Sequence, residues 1–322
     1  MKRRSFSQLL LAFAGAMAVA APAMAQPAYP DKPIRLIVPY APGGSTSAMA
    51  QFFAPALAKA IGGSVYVDHR PGGNTTIGTL AAAKAPADGY TLLLTASSHV
   101  VVPLMSNAPY DPFKDFAPVA ALAKSEFVLV VNPSLPARTL REFVALAKAG
   151  NVTYGSAGSG SALHLTAEMF AQATGVKMQH IPYKGAGPMT TDLVGGQLQA
   201  AFQTPAVAAP FISSGRLRAL AVTGTERLAG LPDVPTLAEA GVTNVPASNW
   251  FGVLAPAGTP KDVIAKLSSA IDTVAAQAEF KDKLVSLGFL PYHVNADQLA
   301  ADMRAESARM GKLIQTAKIT MD

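Results

Sequence analysis

The residues that could do chemistry in this chain are mostly glycines and hydroxyl side chains, clustered directly after apolar runs. The stretch "PYAPGGSTSAMAQFFAPALAKAIGG" (Pro39–Gly63) follows "IRLIV" and passes through Gly43, Gly44, Ser45, Thr46 and Ser47 into a helical pattern. A second stretch in the other half of the chain, "NVTYGSAGSGSALHLTAEMFAQATG" (Asn151–Gly175), repeats the plan with Ser156, Gly158, Ser159 and Ser161. A helix N-terminus carries unpaired N–H groups and the positive end of the helix dipole, and glycine lets a ligand approach the backbone. The chemistry on offer is hydrogen-bond donation to a small anion, most simply a carboxylate. A pair of tight strand-to-helix turns with no ligand is the plainer alternative, and the residues leave it open.

Further loops offer similar groups. "DHRPGGNTTIGT" supplies Gly72, Gly73, Asn74, Thr75 and Thr76, flanked by His69 and Arg70. "TASSHVVVP" supplies Ser97, Ser98 and His99, "IPYKGAGPMTTDLVGGQ" supplies Tyr183, Lys184, Gly185 and Gly187, and "AFQTPAV" places Gln203 and Thr204 after an apolar run. Groups that titrate are scarce beside them. No G-x-S-x-G surrounds Ser97, Ser156, Ser159 or Ser161, and "GSAGSG" is neither a dinucleotide fingerprint nor a phosphate loop. His164 sits in the first turn of a helix with no nucleophile and carboxylate signalled nearby, so it reads as a hydrogen-bonded structural histidine. Five dispersed histidines and no cysteine give no zinc pattern and no disulfide, and no cofactor is expected. Loops rich in binding groups and poor in titrating ones point to a binding protein rather than a catalyst.

These loops need a frame that aims them at one place. Strand-like runs at Ile34–Val38, Val65–Asp68, Thr91–Thr95, Phe127–Val131, Val152–Gly155, Met178–Ile181, Leu198–Phe202, Leu217–Val222 and Phe251–Leu254 alternate with helical patterns. That alternation predicts an α/β fold with mainly parallel strands, whose ligand loops lie at the carboxyl ends of the strands. The 322 residues suit two domains, and 50% apolar with 14% charged residues excludes a disordered chain.

The first 25 residues read as a cleavable export signal: a basic "MKRRSF", an apolar "LLLAFAGAMAVAA", and "AMA" (Ala23–Ala25) before Gln26. Arg3-Arg4 with Ser5-Phe6 partly matches a twin-arginine signal, so either export route fits, and both lead to the periplasm. Without Lys2, Arg3 and Arg4 the chain holds 23 basic and 20 acidic residues, too balanced for a nucleic-acid partner.

Taken in order, the stretches "YPDKPIRLIVPYAPGGSTS", "RPGGNTTIGTLAAAKAPADGYTLLLT", "TYGSAGSGSALHLTAEMF", "HIPYKGAGPMTTDLVGGQLQAAF", "GRLRALAVTGTERLAGLPDVPTLAEAG" and "FGVLAPAGTP" resemble the extracytoplasmic solute receptors of tripartite tricarboxylate transporters, the Bug receptors. The resemblance spans essentially all of the chain after the signal. It implies a type II periplasmic binding fold: two doubly wound lobes, joined by crossing hinge strands, that close over a ligand like a Venus flytrap. It also implies a small carboxylate held by backbone amides, hydroxyls and ordered water. Carried onto this sequence, the contacts fall on Gly43, Gly44, Ser45, Ser47, Gly73 and Thr75 of one lobe. Those of the other lobe fall on Ser156, Gly158, Ser159, Ser161, Tyr183, Lys184 and Gly185. Thr76, Ser97 and Gln203 complete the candidate ligand-binding set from the loop reading.

The chain departs from the family pattern at Ser47, where aspartate is usual, at the loop Pro71–Gly78, and at Gln203. Loss of the aspartate implies a plain carboxylate or neutral polar ligand rather than an amino acid. The expected partners are a small organic acid and either the membrane permease of such a transporter or a sensor kinase, with the receptor acting as a monomer. An interaction protein with a vestigial cleft and a serine hydrolase are the alternatives. With outgoing and return crossings at Phe127–Val131 and Leu217–Val222, lobe one is expected to hold residues 26–130 and 223–322, and lobe two residues 131–222; a return at Phe251–Leu254 instead would move "ERLAGLPDVPTLAEAG" to the other lobe.

Overall fold

A computed structural model of the chain describes residues 29–317 and 319, apart from 151 and 246. The expected signal, residues 1–25, lies outside the described residues.

The chain builds β1 (Ile34–Val38), α1 (Ser45–Ile61), β2 (Val65–His69), α2 (Thr76–Ala83), β3 (Thr91–Ala96), α3 (Ser98–Met105) and β4 (Phe116–Ser125) before it crosses to a second sheet at Glu126 and Phe127. There it forms β5 (Val128–Val131), α4 (Leu140–Ala149), β6 (Val152–Ser156), α5 (Ala162–Thr174), β7 (Met178–Pro182), α6 (Ala186–Val194), β8 (Ala200–Gln203), α7 (Pro205–Ser213) and β9 (Arg218–Val222). It returns through β10 (Asn249–Pro256), α8 (Lys261–Ala276), α9 (Ala278–Ser286), β11 (Leu290–Asn295) and α10 (Ala296–Ala317). The first sheet has the order β11-β4-β10-β3-β1-β2 and the second β7-β6-β8-β5-β9.

Burial explains the local choices. β3, "TLLLTA", is buried at every residue, as a central strand covered on both faces must be. α1 repeats Met49, Phe53, Leu57 and Ile61 at intervals of four, one helix face, and all four are buried. Each such side chain contributes about 1.5–3 kcal/mol of burial. Gly62 ends α1 in the left-handed region at φ 70°, and its N–H bonds the Ala58 carbonyl. α4 opens with a reciprocal capping box between Thr139 and Glu142.

Three results differ from the sequence reading. Of the nine strand pairings among the described residues, four are parallel (β1–β2, β1–β3, β6–β7, β6–β8) and five antiparallel. The strands that carry the chain between lobes run against their neighbours: β10 against β3 and β4, and β5 against β8 and β9. β4, β11 and α3 were not anticipated. "FAPVAALAKS" is rich in alanine and holds a proline, "LPYHVN" is an edge strand with a proline, and α3 contains Pro103 after three valines. Finally, Val128–Val130 pair in the second sheet, and residues 223–245 and 247 pack there too, with Leu237, Val245 and Ala247 in its core. Val222 N–H bonds Pro235 O at 2.9 Å and Leu237 N–H bonds Val222 O at 2.8 Å, which ties this segment to the β9 edge.

Candidate ligand-binding cleft

The loops after β1, β2 and β3 in one sheet and after β6, β7 and β8 in the other face each other. Between them lies a cavity of about 40 Å³, room for a few water-sized groups. The starts of five helices line it: α1 through Gly44, Ser45 and Thr46, α3 through Ser98, α5 through Ser161 and Leu163, α6 through Ala186, and α7 through its cap residue Thr204. Tyr40 and Asn249 complete the polar wall, and among the described residues no charged side chain lines the cavity. None of these five helices has an acidic residue in its first turn. Positive dipole ends and free N–H groups therefore converge on one small space, with no carboxylate of the protein to neutralise them.

One buried group points the same way. The Thr204 hydroxyl, on a residue only 2% exposed, finds no partner among the described residues. A buried polar atom without a partner costs about 1–3 kcal/mol, which an acceptor in the cavity would recover.

A second compartment of about 250 Å³ adjoins the first and shares Tyr40 and Ala157 with it. Gly72, Gly73, Asn74 and Thr75 form one side, and Tyr183 and Lys184 the other. Among the described residues that line it, Lys184 is the one lysine, arginine or carboxylate. Asn74 and Thr75 lie in the left-handed region, at φ 50° and 74°. Such backbone is costly for a β-branched residue and marks a loop held in shape by its surroundings. Tyr183 donates to Asp192 Oδ2 at 2.7 Å, and burial together with that carboxylate pushes its phenol up to about 12.

The sequence-predicted residues divide by their placement. Gly44, Ser45 and Ser161 line the inner cavity, and Gly73, Thr75, Tyr183 and Lys184 the outer one. Gly43, Gly158 and Gly185 stand where the lobes meet, each at positive φ: 89°, 123° and 136°. Ser159 is buried beside them, and Thr76 opens α2 with its N–H on Gly73 O at 2.9 Å.

Like these five, four more predicted residues line neither compartment, and their side chains act on their neighbours. Ser47 Oγ lies 3.4 Å from His69 Nε2, whose Nδ1 is 3.1 Å from the Tyr40 carbonyl. Ser97 gives its N–H and O–H to Asn249 Oδ1 at 3.1 and 2.5 Å. Gln203 donates to Thr190 Oγ1 at 2.8 Å and accepts from Thr204 N–H at 2.9 Å, so it holds the α7 cap.

Ser156, fully buried, is the fourth. Its Oγ accepts from Gly158 N–H at 3.1 Å and lies 2.7 Å from His180 Nε2. This Ser–His pair sits behind the loop, where the hydroxyl shapes the turn. His164 accepts from Gly160 N–H at 3.2 Å through Nδ1 and stacks on His180. His99 points away from the cleft, against Tyr110 and Phe116, and burial pushes its imidazole down to about 4. Sequence reading missed Tyr40, Ala186 and Asn249 as lining residues. Tyr40 stood in plain view before Ala41-Pro42, but Asn249 reaches the cavity by pairing β10 with β3, which no local pattern announces.

Comparison with known proteins gives the same answer from outside. Residues 49–319 match the family described as tripartite tricarboxylate transporter family receptor. Protein BugT of Bordetella pertussis is 38% identical over 308 residues, 94% of each chain. A solved structure of an R. palustris protein with adipate has a TM-score of 0.88 at 32% identity and covers 91% of this chain and all of its own. The MatC protein of Rhodopseudomonas palustris with bound malate has a TM-score of 0.84 at 29% identity, over 89% of this chain and all of its own. The chain belongs to the tripartite tricarboxylate transporter receptor family, with the Bug proteins, and is a solute-binding receptor rather than an enzyme.

Proposed function

We propose that this protein is a periplasmic receptor that captures a small organic acid between two closing lobes and delivers it to the membrane subunits of a tripartite tricarboxylate-type transporter. One observation carries the reading: five helix N-termini, without a charged side chain among them, converge on a cavity of about 40 Å³. Backbone donors read negative charge and shape, and so does the second compartment with Lys184. The adipate and malate held by its neighbours belong to the same chemical class.

In this reading residues 1–25 are the export signal and the receptor works as a monomer. The first lobe is residues 29–125 with 249–317, the second is residues 128–247, and the hinge lies at 126–127 and 248. The candidate ligand contacts are the residues that line the two compartments. Neither lining contains an aspartate or glutamate to receive an ammonium group, so the ligand is a plain carboxylate and not an amino acid.

A thermal-shift screen on residues 26–322, unfolded and refolded to strip carried-over ligand, tests this. Dicarboxylates, tricarboxylates, aromatic acids and amino acids form the panel. A ligand at a hundred times its dissociation constant stabilises by about 2.7 kcal/mol, a shift of several degrees. The expected result is a shift with one class of plain acid. Tighter binding of glutamate or aspartate than of any plain acid would overturn the ligand class, and no shift from folded protein would overturn the receptor reading.

A further inference from the structure

The two lobes touch through backbone at the edge of the cavity. Ala41 N–H of the first lobe bonds Lys184 O of the second at 3.0 Å. Next to this bond, α6 brings Gly187 against the loop before α1. A Cβ on Gly187 would lie 2.0 Å from Pro42 O, 3.1 Å from Pro42 C and 3.2 Å from Gly43 Cα. All three atoms are backbone, so no side-chain rotation relieves the contact. Relief takes a backbone shift across the seam.

Three other glycines of this seam have a second reason to be glycine. Gly43, Gly158 and Gly185 all have positive φ. Gly187 does not, for it is the second residue of a helix, where alanine is the better former. Nothing in its own helix calls for glycine. The requirement comes from the opposite lobe.

We propose that Gly187 sets how far the lobes close, and through that the affinity for ligand, by letting α6 pass within contact distance of Pro42 and Gly43. It is a positioning residue and lines neither compartment of the cleft. The inference rests on the lobe closure proposed above. A methyl group there holds the loops more than an ångström apart. Donors from α1 and from α5–α7 then cannot all reach one small ligand, because hydrogen bonds fade beyond about 3.2 Å.

The test is Gly187→Ala, with Gly230→Ala as control, since a Cβ on Gly230 meets nothing within 4 Å. The expected signature has opposite signs: the ligand-free protein melts no lower than the parent, while affinity for the acid found by the screen falls at least about a hundredfold. A ligand-independent readout separates this proposal from the ligand reading. The chain has no cysteine, and a Cβ on Gly44 would lie 3.4 Å from Ala186 Cβ across the seam. That is close to the disulfide range of about 3.5–4.5 Å.

The double variant Gly44→Cys with Ala186→Cys therefore cross-links only when the lobes close. Adding Gly187→Ala is expected to slow that cross-linking at least tenfold, and adding Gly230→Ala to leave it unchanged. If the parent protein binds no acid in the screen, slower cross-linking keeps the proposal while the ligand reading falls. Unchanged cross-linking, or unchanged affinity in Gly187→Ala, overturns the proposal.

Discussion

Among the described residues six helices, α1–α3 and α5–α7, begin at the cleft, and four, α4 and α8–α10, begin elsewhere on the two lobes. None of the six has an acidic residue in its first turn. All four of the others do: Glu142, Asp262, Glu279 and Asp297. An acid at that position stabilises a helix by about 0.3–1 kcal/mol through its dipole. The outer helices take this stabilisation from their own side chains. The cleft helices forgo it, and in the proposed function a ligand carboxylate supplies it. Ligand binding then contributes to fold stability as well as to recognition.

The comparison can be broken most severely by giving a cleft helix the acid it lacks. Thr46→Asp puts a carboxylate into the cavity wall, and we expect affinity for the acid ligand to fall about a thousandfold or more by titration calorimetry. Like charges in a closed space of low polarity cannot both stay ionised at small cost. Undiminished binding would show that the N-termini are not the anion site.

A smaller effect concerns His99, which sits in the first turn of α3 and is fully buried. Desolvation pushes its pKa down to about 4, against a hydrogen bond to Pro112 O that pulls it up. Its folded pKa lies below the unfolded value, so neutral His99 contributes full stability above about pH 6.5. That contribution is lost as pH falls toward 4, by an amount on the order of 3 kcal/mol. The melting temperature of His99→Gln should be flatter over this range than that of the parent. An equal slope in both would move the acid sensitivity elsewhere.

Thr204→Val comes next. It removes the unpartnered hydroxyl and keeps the shape, so the ligand-free protein should melt at the same temperature or higher while affinity drops about tenfold. The smallest effect belongs to an outer helix. Thr139→Ala deletes half of the α4 capping box and should cost about 1 kcal/mol, a few degrees of melting temperature at most, with ligand affinity unchanged. If it weakened binding as much as Thr204→Val, the division between the two sets of helices would lose its meaning.

Much of this division could be read before the fold was known. The glycine and hydroxyl loops, their lack of acids, and the strands before them are local features, and they fell within a residue or two of the observed elements. What misled was composition. β4 spells an alanine-rich run with a proline, yet it lies buried between β10 and β11 because tertiary pairing overrode weak strand propensity. Hydroxyls close in sequence also turned out to serve different ends. Ser45 faces the cavity, and Ser47, two residues on, faces His69.

By itself the sequence determined the α/β class, the family resemblance, and the kind of chemistry the cleft offers, because strand-loop-helix units and the absence of charge are written in short stretches. Only the tertiary structure decided which donors meet. Asn249 reaches the cavity through β10, residues 223–245 join the second sheet by packing, and Gly187 lies against Pro42 of the opposite lobe, with no room for a Cβ. Each of these depends on a contact between residues far apart in the chain, whose geometry exists only once both sheets have formed and the lobes have come together.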